Sequence, residues 1–310
     1  MTKRNIPEAV AKRALTSGEE TVRWLDELDG IIEALEGKWH IRVGEALSGG
    51  THAFVAPAKG DDGNEYVLKV DMPEPSDEDA FEREIRFLEL AGGNGYVKMY
   101  AADMERRACL MERLGSSLMA SGLPARKQMW LICKTLEKLW SVKGCAAGFS
   151  DGFESVNWFR KYIPSVYEQH GRPCPEEPVT HAMKILADIE KRLRPEDFVP
   201  VHGDAHGSNA LLDGSGGCTL IDADGLFHEK AYDLGVLMRD WTEKYAADPL
   251  KEGIARCSYL CSLTGADEKA VRQWGYIQCV ATALTAWEIL PDMARMLIRI
   301  AESWIEGSFV

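Results

Sequence analysis

The change in hydrophobic period near residue 114 is the feature that most restricts how this chain can fold. Before it, apolar residues follow a strand-like pattern over 40–47, 51–58, 65–71, 96–103 and 106–114. After it, they recur mainly at helical spacing over 124–141, 153–169, 176–193, 230–247, 249–263 and 267–306. A strand-rich unit followed by a helical unit predicts an α+β chain of two lobes, with residues 1–114 in the first and 115–310 in the second.

Two helices are predicted to accompany the strands of the first lobe. Ser17 and Glu20 have the spacing of a capping box. An apolar stripe at helical period follows them, made of Trp24, Leu25, Leu28, Ile31, Ile32 and Leu35. A second capped helix is predicted over 76–93, ending at glycines. The lobe is therefore expected to be an antiparallel sheet of about five strands with helices packed on it.

Charge and composition restrict the partners of the chain. The net charge of −13 over 310 residues argues against nucleic acid, because phosphate binding requires clustered Lys and Arg. An acidic surface either keeps the protein soluble or attracts a cationic ligand. The N-terminus has no apolar signal segment, and the longest apolar run, 279–287, is too short to cross a bilayer. Eight cysteines without a C-x-x-C pair fit a reducing compartment, so we expect a cytoplasmic monomer or weak dimer without a membrane partner.

The segment "VHGDAHGSNALL" contains the first candidate catalytic and metal-binding residues. Asp204 follows an apolar strand-like run, Asn209 lies five positions later, and Asp222 stands in "LIDADG". Phosphoryl transfer needs a carboxylate to orient the attacking hydroxyl and oxygen ligands to hold Mg²⁺ against nucleotide phosphates. These three residues supply such a set.

Lys69 in "YVLKV" supplies a further part of the same requirement. Period-two alternation places it on one strand face with Val67, whereas Leu68 and Val70 lie on the other face. A lysine in an apolar strand needs a partner or a ligand. Glu84 on the following helix is the best candidate partner, and Glu82 is the second. The glycine turn "SGGT" between the first two strands can present backbone N–H groups to phosphates; its residues are Ser48, Gly49, Gly50 and Thr51.

Other interpretations of the same segment are weaker. His202 and His206 could bind zinc only on a helix with a third ligand, and Gly203 and Gly207 interrupt the segment. A serine triad lacks its G-x-S-x-G elbow. His202 is better interpreted as an anchor of the loop, while His206 either lies at the surface or approaches the phosphate.

The helical segment after "LIDADG" adds three charged residues without a predicted chemical role. Asp233 either braces the loop of Asp204 through backbone N–H groups or is a carboxylate favoured at a helix start. Arg239 and Asp240 are interpreted as surface or internal ion-pairing residues. Asp233 and Arg239 are therefore expected to act structurally, whereas Asp240 is, with Asp224, Glu229 and Glu288, also a candidate carboxylate for a cationic acceptor.

These motifs together resemble the aminoglycoside phosphotransferases, which are small-molecule kinases of the protein-kinase-like superfold. "VHGDAHGSNALL" resembles their catalytic loop, "LIDADG" their metal-binding segment and "AYDLGVLMRDW" the helix that follows. The segment from Arg23 to Val70 is similar to the start of the streptomycin 6-phosphotransferases, which are grouped with hydroxyurea kinases. The chain departs from its relatives at Ala205 and Ser208, and it lacks the Gly-Asp-Pro that commonly precedes the later aspartate.

The resemblance implies a role for each matching residue. Asp204 would be the catalytic base, Asn209 and Asp222 the Mg²⁺ ligands, and Lys69 the lysine that binds the α- and β-phosphates of ATP, held by Glu84. The segment "ACLMERLGSSL" resembles the hinge that contacts adenine, which implies that role for Glu112, Arg113 and Leu114. Residues 1–114 would then be the nucleotide-binding lobe and 115–310 the catalytic and acceptor-binding lobe.

The function expected on this basis is ATP-dependent O-phosphorylation of a cationic aminoglycoside, most similar to streptomycin, which would confer resistance. One alternative keeps the fold and changes the acceptor to hydroxyurea, an amino sugar or a peptide antibiotic. Another is a nucleotide-binding pseudokinase. The presence of Lys69, Asp204 and Asp222 argues against the pseudokinase, because such proteins usually lose one of these groups.

Overall fold

The computed structural model describes residues 4–73 and 79–310. Contacts divide the chain into two compact units, Met1–Gly115 and Ser116–Val310. The strands of the large sheet belong to the first unit, and most of the helices belong to the second. The assignment of nucleotide binding to one unit and acceptor binding to the other stays a prediction.

The first unit is built on a five-stranded antiparallel sheet with the order β1-β2-β3-β5-β4. The strands are β1 (Ile41–Val43), β2 (Ala53–Gly60), β3 (Glu65–Asp71), β4 (Met99–Asp103) and β5 (Ala108–Glu112). The helices are α1 (Glu8–Thr16), α2 (Glu19–Trp39) and α3 (Ala80–Ala91). The α1 helix was not predicted from the sequence.

Alternation along β3 sorts its side chains between two environments. Leu68 and Val70 are fully buried in a core that α1 and α2 share with the sheet. That core also contains Val10, Trp24, Leu28, Ile32, Leu35, Phe54, Ala56 and Leu110. Lys69 projects to the opposite face, because successive side chains of a strand point in opposite directions. On that face its side chain contacts Glu84 of α3.

The structure corrects two local predictions in this unit. Ser17 does not cap α2: it ends α1 in a helical conformation and its N–H bonds the carbonyl of Arg13, while the α2 N-cap is Gly18. A capping serine needs an extended conformation, and the continuation of α1 to Thr16 prevents this. The strand predicted over 40–47 ends at Val43, and 44–52 form a loop. Residues 76–78, at the predicted start of the second helix, lie outside the described residues.

The second unit combines helices with two small antiparallel strand pairs. The helices are α4 (Ala125–Trp140), α5 (Gly152–Gln169), α6 (Glu176–Arg192), α7 (Ala231–Arg239), α8 (Pro249–Thr264), α9 (Glu268–Thr285) and α10 (Pro291–Glu306). The strands are β6 (Val199–Val201), β7 (Ala210–Leu212), β8 (Cys218–Leu220) and β9 (Leu226–His228). β6 pairs with β9, and β7 pairs with β8. Loop 202–209 therefore runs from one pair to the other, and loop 221–225 returns.

Close packing of α7 against α9 fixes the position of the helix that follows these loops. A Cβ added at Gly235 of α7 would lie 2.7 Å from the Cβ of Trp274 on α9, closer than real side chains approach. The buried faces of both helices thus meet almost backbone to backbone. Glycine at position 235 permits this approach because it has no Cβ atom. The approach in turn fixes where Asp233 and Arg239 lie relative to α9.

Among the helices of the described ranges, none combines the length and hydropathy that crossing a membrane requires.

Candidate active site

Loops 202–209 and 221–225 are joined by backbone hydrogen bonds. The N–H of Asp224 bonds the carbonyl of His202 at 2.9 Å, and the N–H of Ile221 bonds the carbonyl of Asn209 at 2.9 Å. Residues 12 and 22 positions apart are therefore neighbours, with Asp204 and Asn209 on one loop and Asp222 on the other. The structure brings these three predicted residues into one region of the second unit.

His202 holds loops 202–209 and 221–225 together through its ring. It is fully buried; its Nδ1 accepts the N–H of Asp204 at 3.2 Å, and its Nε2 lies 2.8 Å from the carbonyl of Ile221. Those contacts require the tautomer that carries its proton on Nε2. Burial lowers the pKa of His202 to about 4, so the ring is neutral at neutral pH. Within the described residues no group of three His, Cys, Asp or Glu side chains could hold a metal ion.

Asp233 braces the same loop through its backbone. Its fully buried carboxylate accepts the N–H of Gly203 at 2.8 Å, the N–H of His202 at 3.2 Å and the indole N–H of Trp140 at 2.8 Å. Burial raises the pKa of Asp233 to about 6, although these hydrogen bonds oppose the rise. Of the two interpretations open from the sequence, the geometry selects the brace.

Gly203 cannot be replaced by a residue with a side chain without strain. Its φ of +92° lies in the region that favours glycine, and an added Cβ would lie 2.7 Å from the Oδ2 of Asp224. The turn before Asp204 is therefore tight because Asp224 packs against its backbone.

The carboxylate of Asp204 lies between two cationic or potentially cationic groups. Its Oδ1 pairs with a guanidinium nitrogen of Arg239, and its Oδ2 lies 3.2 Å from Nε2 of His206. Burial alone would raise the pKa of Asp204, but the hydrogen bond from His206 and the charge of Arg239 outweigh burial and hold the pKa well below its usual range. The side chain of Asp204 keeps 35% exposure, so an ionised and oriented carboxylate is open to a ligand.

His206 gains a proton more readily for the same reason. Burial opposes the charged ring, but the hydrogen bond and the negative charge of Asp204 prevail, so the pKa of His206 is raised. The sequence left open whether this residue lies at the surface or approaches a phosphate. In the structure its contact is with Asp204.

Asn209 and Asp222 supply oxygen atoms next to Asp204. The amide nitrogen of Asn209 donates to the carbonyl of Asp204 at 3.1 Å, which fixes the amide and leaves its oxygen as an acceptor. Asp222 is exposed and has a φ of +62°, a left-handed conformation that aspartate tolerates better than most residues. Strained backbone of this kind is concentrated at functional sites. A carboxylate and an amide oxygen are ligands that suit Mg²⁺.

Asp224 adds a third carboxylate to the region of Asp204. The surrounding protein raises its pKa to about 7, and the negative charges of Asp204 and Asp222 add to the effect. Because the residue as a whole is exposed, solvent reaches it in spite of this crowding. The region around Asp204 is thus rich in negative charge.

In the first unit, Lys69 and Glu84 form the predicted ion pair. The Nζ of Lys69 lies 2.6 and 2.8 Å from the carboxylate oxygens of Glu84, and both side chains are largely buried. Glu84 rather than Glu82 is the partner. Asp71, which the sequence analysis missed, lies 3.9 Å from the same Nζ. Burial raises the pKa of Asp71 to about 6, although the charge of Lys69 opposes this.

The remaining predicted residues of this unit lie in two connecting segments. Ser48, Gly49, Gly50 and Thr51 belong to the exposed loop between β1 and β2, where Gly49 has a φ of +120°. Glu112 ends β5, and its carboxylate accepts the N–H of Lys98 at 2.8 Å. Arg113 and Leu114 follow it outside the strand. Their roles toward a nucleotide stay predictions.

Arg239 forms an ion pair whose partner, Asp204, sequence reasoning did not identify. It was interpreted as a surface or internal pairing residue, but its guanidinium contacts both Asp204 and the hydroxyl of Thr282, the latter at 2.7 Å. Asp240 likewise accepts the N–H of Gly207 at 3.3 Å. Helical spacing gave no signal for these contacts, because six positions separate Arg239 from Asp233, which places them about 120° apart around α7, and Asp240 lies beyond the end of the helix.

Solved structures of small-molecule kinases share the fold of this chain. Choline kinase LicA from Streptococcus pneumoniae has a similar fold, with a TM-score of 0.60 and 17% identity over 89% of this chain and 99% of its own. An aminoglycoside phosphotransferase from Streptomyces rimosus, solved with ADP and streptomycin, has a TM-score of 0.54 and 15% identity over 82% of this chain and 98% of its own.

Sequence comparison gives the family. The model of the aminoglycoside/hydroxyurea antibiotic resistance kinases matches residues 38–289, and the chain belongs to this family. A streptomycin 6-kinase of Streptomyces glaucescens is 25% identical over 288 residues, which is 92% of this chain and 91% of the relative. The chain is therefore a small-molecule kinase, and the resemblance recognised in its motifs is confirmed.

Proposed function

We propose that this kinase transfers the γ-phosphoryl group of ATP to a hydroxyl of a streptomycin-like aminoglycoside. The observation that carries the proposal is the ionised carboxylate of Asp204, held by Arg239 and His206 beside Asn209 and Asp222. The streptomycin 6-kinase relative and the Streptomyces rimosus enzyme solved with ADP and streptomycin support the choice of substrates.

Asp204 orients the acceptor in this reaction. Its exposed oxygen surface accepts a hydrogen bond from the hydroxyl that attacks phosphorus. The new bond joins the acceptor oxygen to the γ-phosphorus as the bond from that phosphorus to the oxygen of ADP breaks, and the hydroxyl proton passes to Asp204. Because its pKa is low, Asp204 is a weak base in the resting enzyme and contributes mainly orientation and negative charge.

Asn209 and Asp222 are the residues that would hold Mg²⁺. Both present oxygen atoms, and the backbone bond between Asn209 and Ile221 keeps the two loops in register. The ion, when bound, neutralises charge that develops on the phosphates.

Lys69 is the group that would neutralise the phosphates from the first unit. Its pairing with Glu84 fixes the ammonium group at one place on the sheet, as binding of α- and β-phosphates requires. The glycine loop 48–51 would cover the phosphates with backbone N–H groups, and 112–114 would contact the adenine.

The compartment and the assembly state are part of the same proposal. All eight cysteines are thiols in the structure, which suits the reducing, ATP-containing cytoplasm. We propose that the enzyme acts there as a monomer or weak dimer, and that resistance to the antibiotic is its outcome.

The test is phosphorylation of streptomycin by the purified chain with ATP and Mg²⁺, followed by mass spectrometry. Asp204→Asn should lower kcat by about 10²-fold or more, because an amide neither accepts the proton nor carries the charge. The matched control is Asp188→Asn, an exposed aspartate on α6 paired with Lys191. An Asp204→Asn variant that turns over at the rate of the control would refute the assigned role. A panel of hydroxyurea, amino sugars and peptide antibiotics identifies the acceptor if streptomycin is not phosphorylated.

A further inference from the structure

An exposed pair of stacked aromatic rings lies on α5. Trp158 is 53% exposed, and its ring stacks on Tyr162 one helical turn later, with centroids 4.3 Å apart and planes at 15°. The ring of Phe159 meets Trp158 edge-on at 4.9 Å. The indole is thus held by two neighbouring rings while about half of it faces solvent. A large aromatic surface kept rigid and exposed is typical of a ligand-binding surface.

A continuous series of contacts connects this pair to Asp204. Arg239 pairs with Asp204 and also donates to the hydroxyl of Thr282 on α9 at 2.7 Å. Thr285, one turn further along α9, bonds the hydroxyl of Tyr162 at 2.8 Å. The helix advances about 5 Å per turn. The aromatic pair therefore lies about one turn of α9 beyond the arginine that holds the candidate catalytic carboxylate.

Exposed carboxylates occur on the same unit as the aromatic pair. Glu288, in the turn after α9, has a side chain that is 76% exposed and lies 3.0 Å from the Nδ1 of His170 at the end of α5. Asp222 and Asp224 are exposed beside Asp204. Carboxylates and aromatic ring faces both attract organic cations, because the ring face is itself electronegative. The charge of Glu288 disfavours an anion close to it.

We propose that Trp158, Tyr162, Thr285 and Glu288 form an acceptor shelf that binds a guanidino- or amino-substituted ring of the acceptor. The ring cation lies over the exposed face of Trp158, and Glu288 pairs with a positively charged substituent. This inference rests on the proposed function and deepens it, since it identifies the residues that select a cationic acceptor. Tyr162 and Thr285 position the indole relative to α9.

Direct binding of streptomycin tests the shelf without any turnover. Calorimetric titration in the absence of ATP should show that Trp158→Ala weakens streptomycin binding by about tenfold or more, whereas Trp158→Phe keeps most of the affinity. The matched control is Trp130→Ala, since Trp130 on α4 is a 36% exposed tryptophan that also contacts a cation, Lys127. This control should bind streptomycin like the unchanged protein.

Kinetics separate a binding role from a structural one. Trp158→Ala should raise the KM for streptomycin by about tenfold while the KM for ATP and the melting temperature stay those of the Trp130→Ala control. Glu288→Gln should raise the same KM by a smaller factor. The shelf is overturned if Trp158→Ala binds streptomycin within about twofold of the control, or if the unchanged protein does not bind it.

The outcomes distinguish this inference from the proposed function. Loss of phosphotransfer in Asp204→Asn, together with weaker streptomycin binding in Trp158→Ala than in Trp130→Ala, supports both. Normal phosphotransfer with unchanged binding in Trp158→Ala refutes the shelf and leaves the function standing. Streptomycin binding that depends on Trp158 without phosphorylation of streptomycin refutes the proposed acceptor chemistry and supports the shelf.

Discussion

Replacement of Asp233 by asparagine tests the link between the buried brace and the active-site loop. Three N–H donors point at two carboxylate oxygens: Trp140 and His202 at Oδ2, and Gly203 at Oδ1. An amide accepts hydrogen bonds only at its oxygen, so its NH₂ group must face at least one of these donors. That donor is left buried and unsatisfied.

These contacts determine how much stability the Asp233→Asn variant should lose. One orphaned buried donor costs about 1–3 kcal/mol, and the remaining hydrogen bonds weaken because they lose a charged acceptor. Burial raises the pKa of Asp233 to about 6, which shows that the charge itself is costly in the fold, so its removal returns part of the loss. We expect Asp233→Asn to lower the free energy of unfolding by about 1–3 kcal/mol.

Urea unfolding of Asp233→Asn at pH 7.5 measures this loss. The carboxylate is ionised there, and an unchanged m-value will show that only stability has changed. The control is Asp267→Asn at the start of α9, where one backbone N–H is accepted at 2.8 Å and asparagine caps equally well. We also expect kcat to fall by about tenfold, because the loop of Asp204 loses its fixed position. A variant within about 0.5 kcal/mol of the unchanged protein, with unchanged kcat, would refute the brace.

Two further predictions concern charge. Arg239→Met removes a guanidinium that helps to lower the pKa of Asp204. The acidic limb of the plot of kcat against pH should therefore move to higher pH, and kcat should fall about 10- to 100-fold. An acidic limb at an unchanged pH would show that the pair of Arg239 and Asp204 does not determine it. His228 is fully buried, and burial lowers its pKa to about 3. Below its unfolded pKa of about 6.5 the unfolded chain binds a proton that the folded chain does not, so stability falls as pH falls, by about 2 kcal/mol at pH 5. His228→Phe should remove that part of the acid sensitivity in urea unfolding, whereas His40→Asn, which changes an exposed histidine, should not. An equal dependence of the unfolding free energy on pH in both variants would contradict the assignment of this acid sensitivity to His228.

The sequence predicted the architecture because the relevant signals are local. Alternation in β3 placed Lys69 opposite Leu68 and Val70, and the following helix offered only Glu82 and Glu84 as near partners. The family resemblance over the loops of Asp204 and Asp222 was confirmed by comparison. The same local reasoning was wrong at Ser17, where a capping-box spacing lies between two helices and the end of α1 determines the backbone conformation.

Helical periodicity could not show which charged side chains meet. Arg239 lies 35 residues from Asp204, and its contact depends on the close approach of α7 to α9 at Gly235. Asp71 joins Lys69 and Glu84 only because β3 and α3 pack together. Trp158 has the spacing of an ordinary exposed helical residue, and its stacking on Tyr162 and the link from Tyr162 to Thr285 exist only in the assembled unit.

The sequence by itself determined the order of the sheet strands and of the helices after α1, the strand face of Lys69 and the loops that carry Asp204, Asn209 and Asp222. These features depend on the period with which apolar residues recur along the chain and on residue types a few positions apart. The tertiary structure alone decided that Arg239 holds Asp204, that Asp233 braces the loop and that an aromatic surface lies one turn of α9 from that arginine. Such contacts join elements distant in the chain, and side-chain packing between helices, rather than any local pattern, determines their geometry.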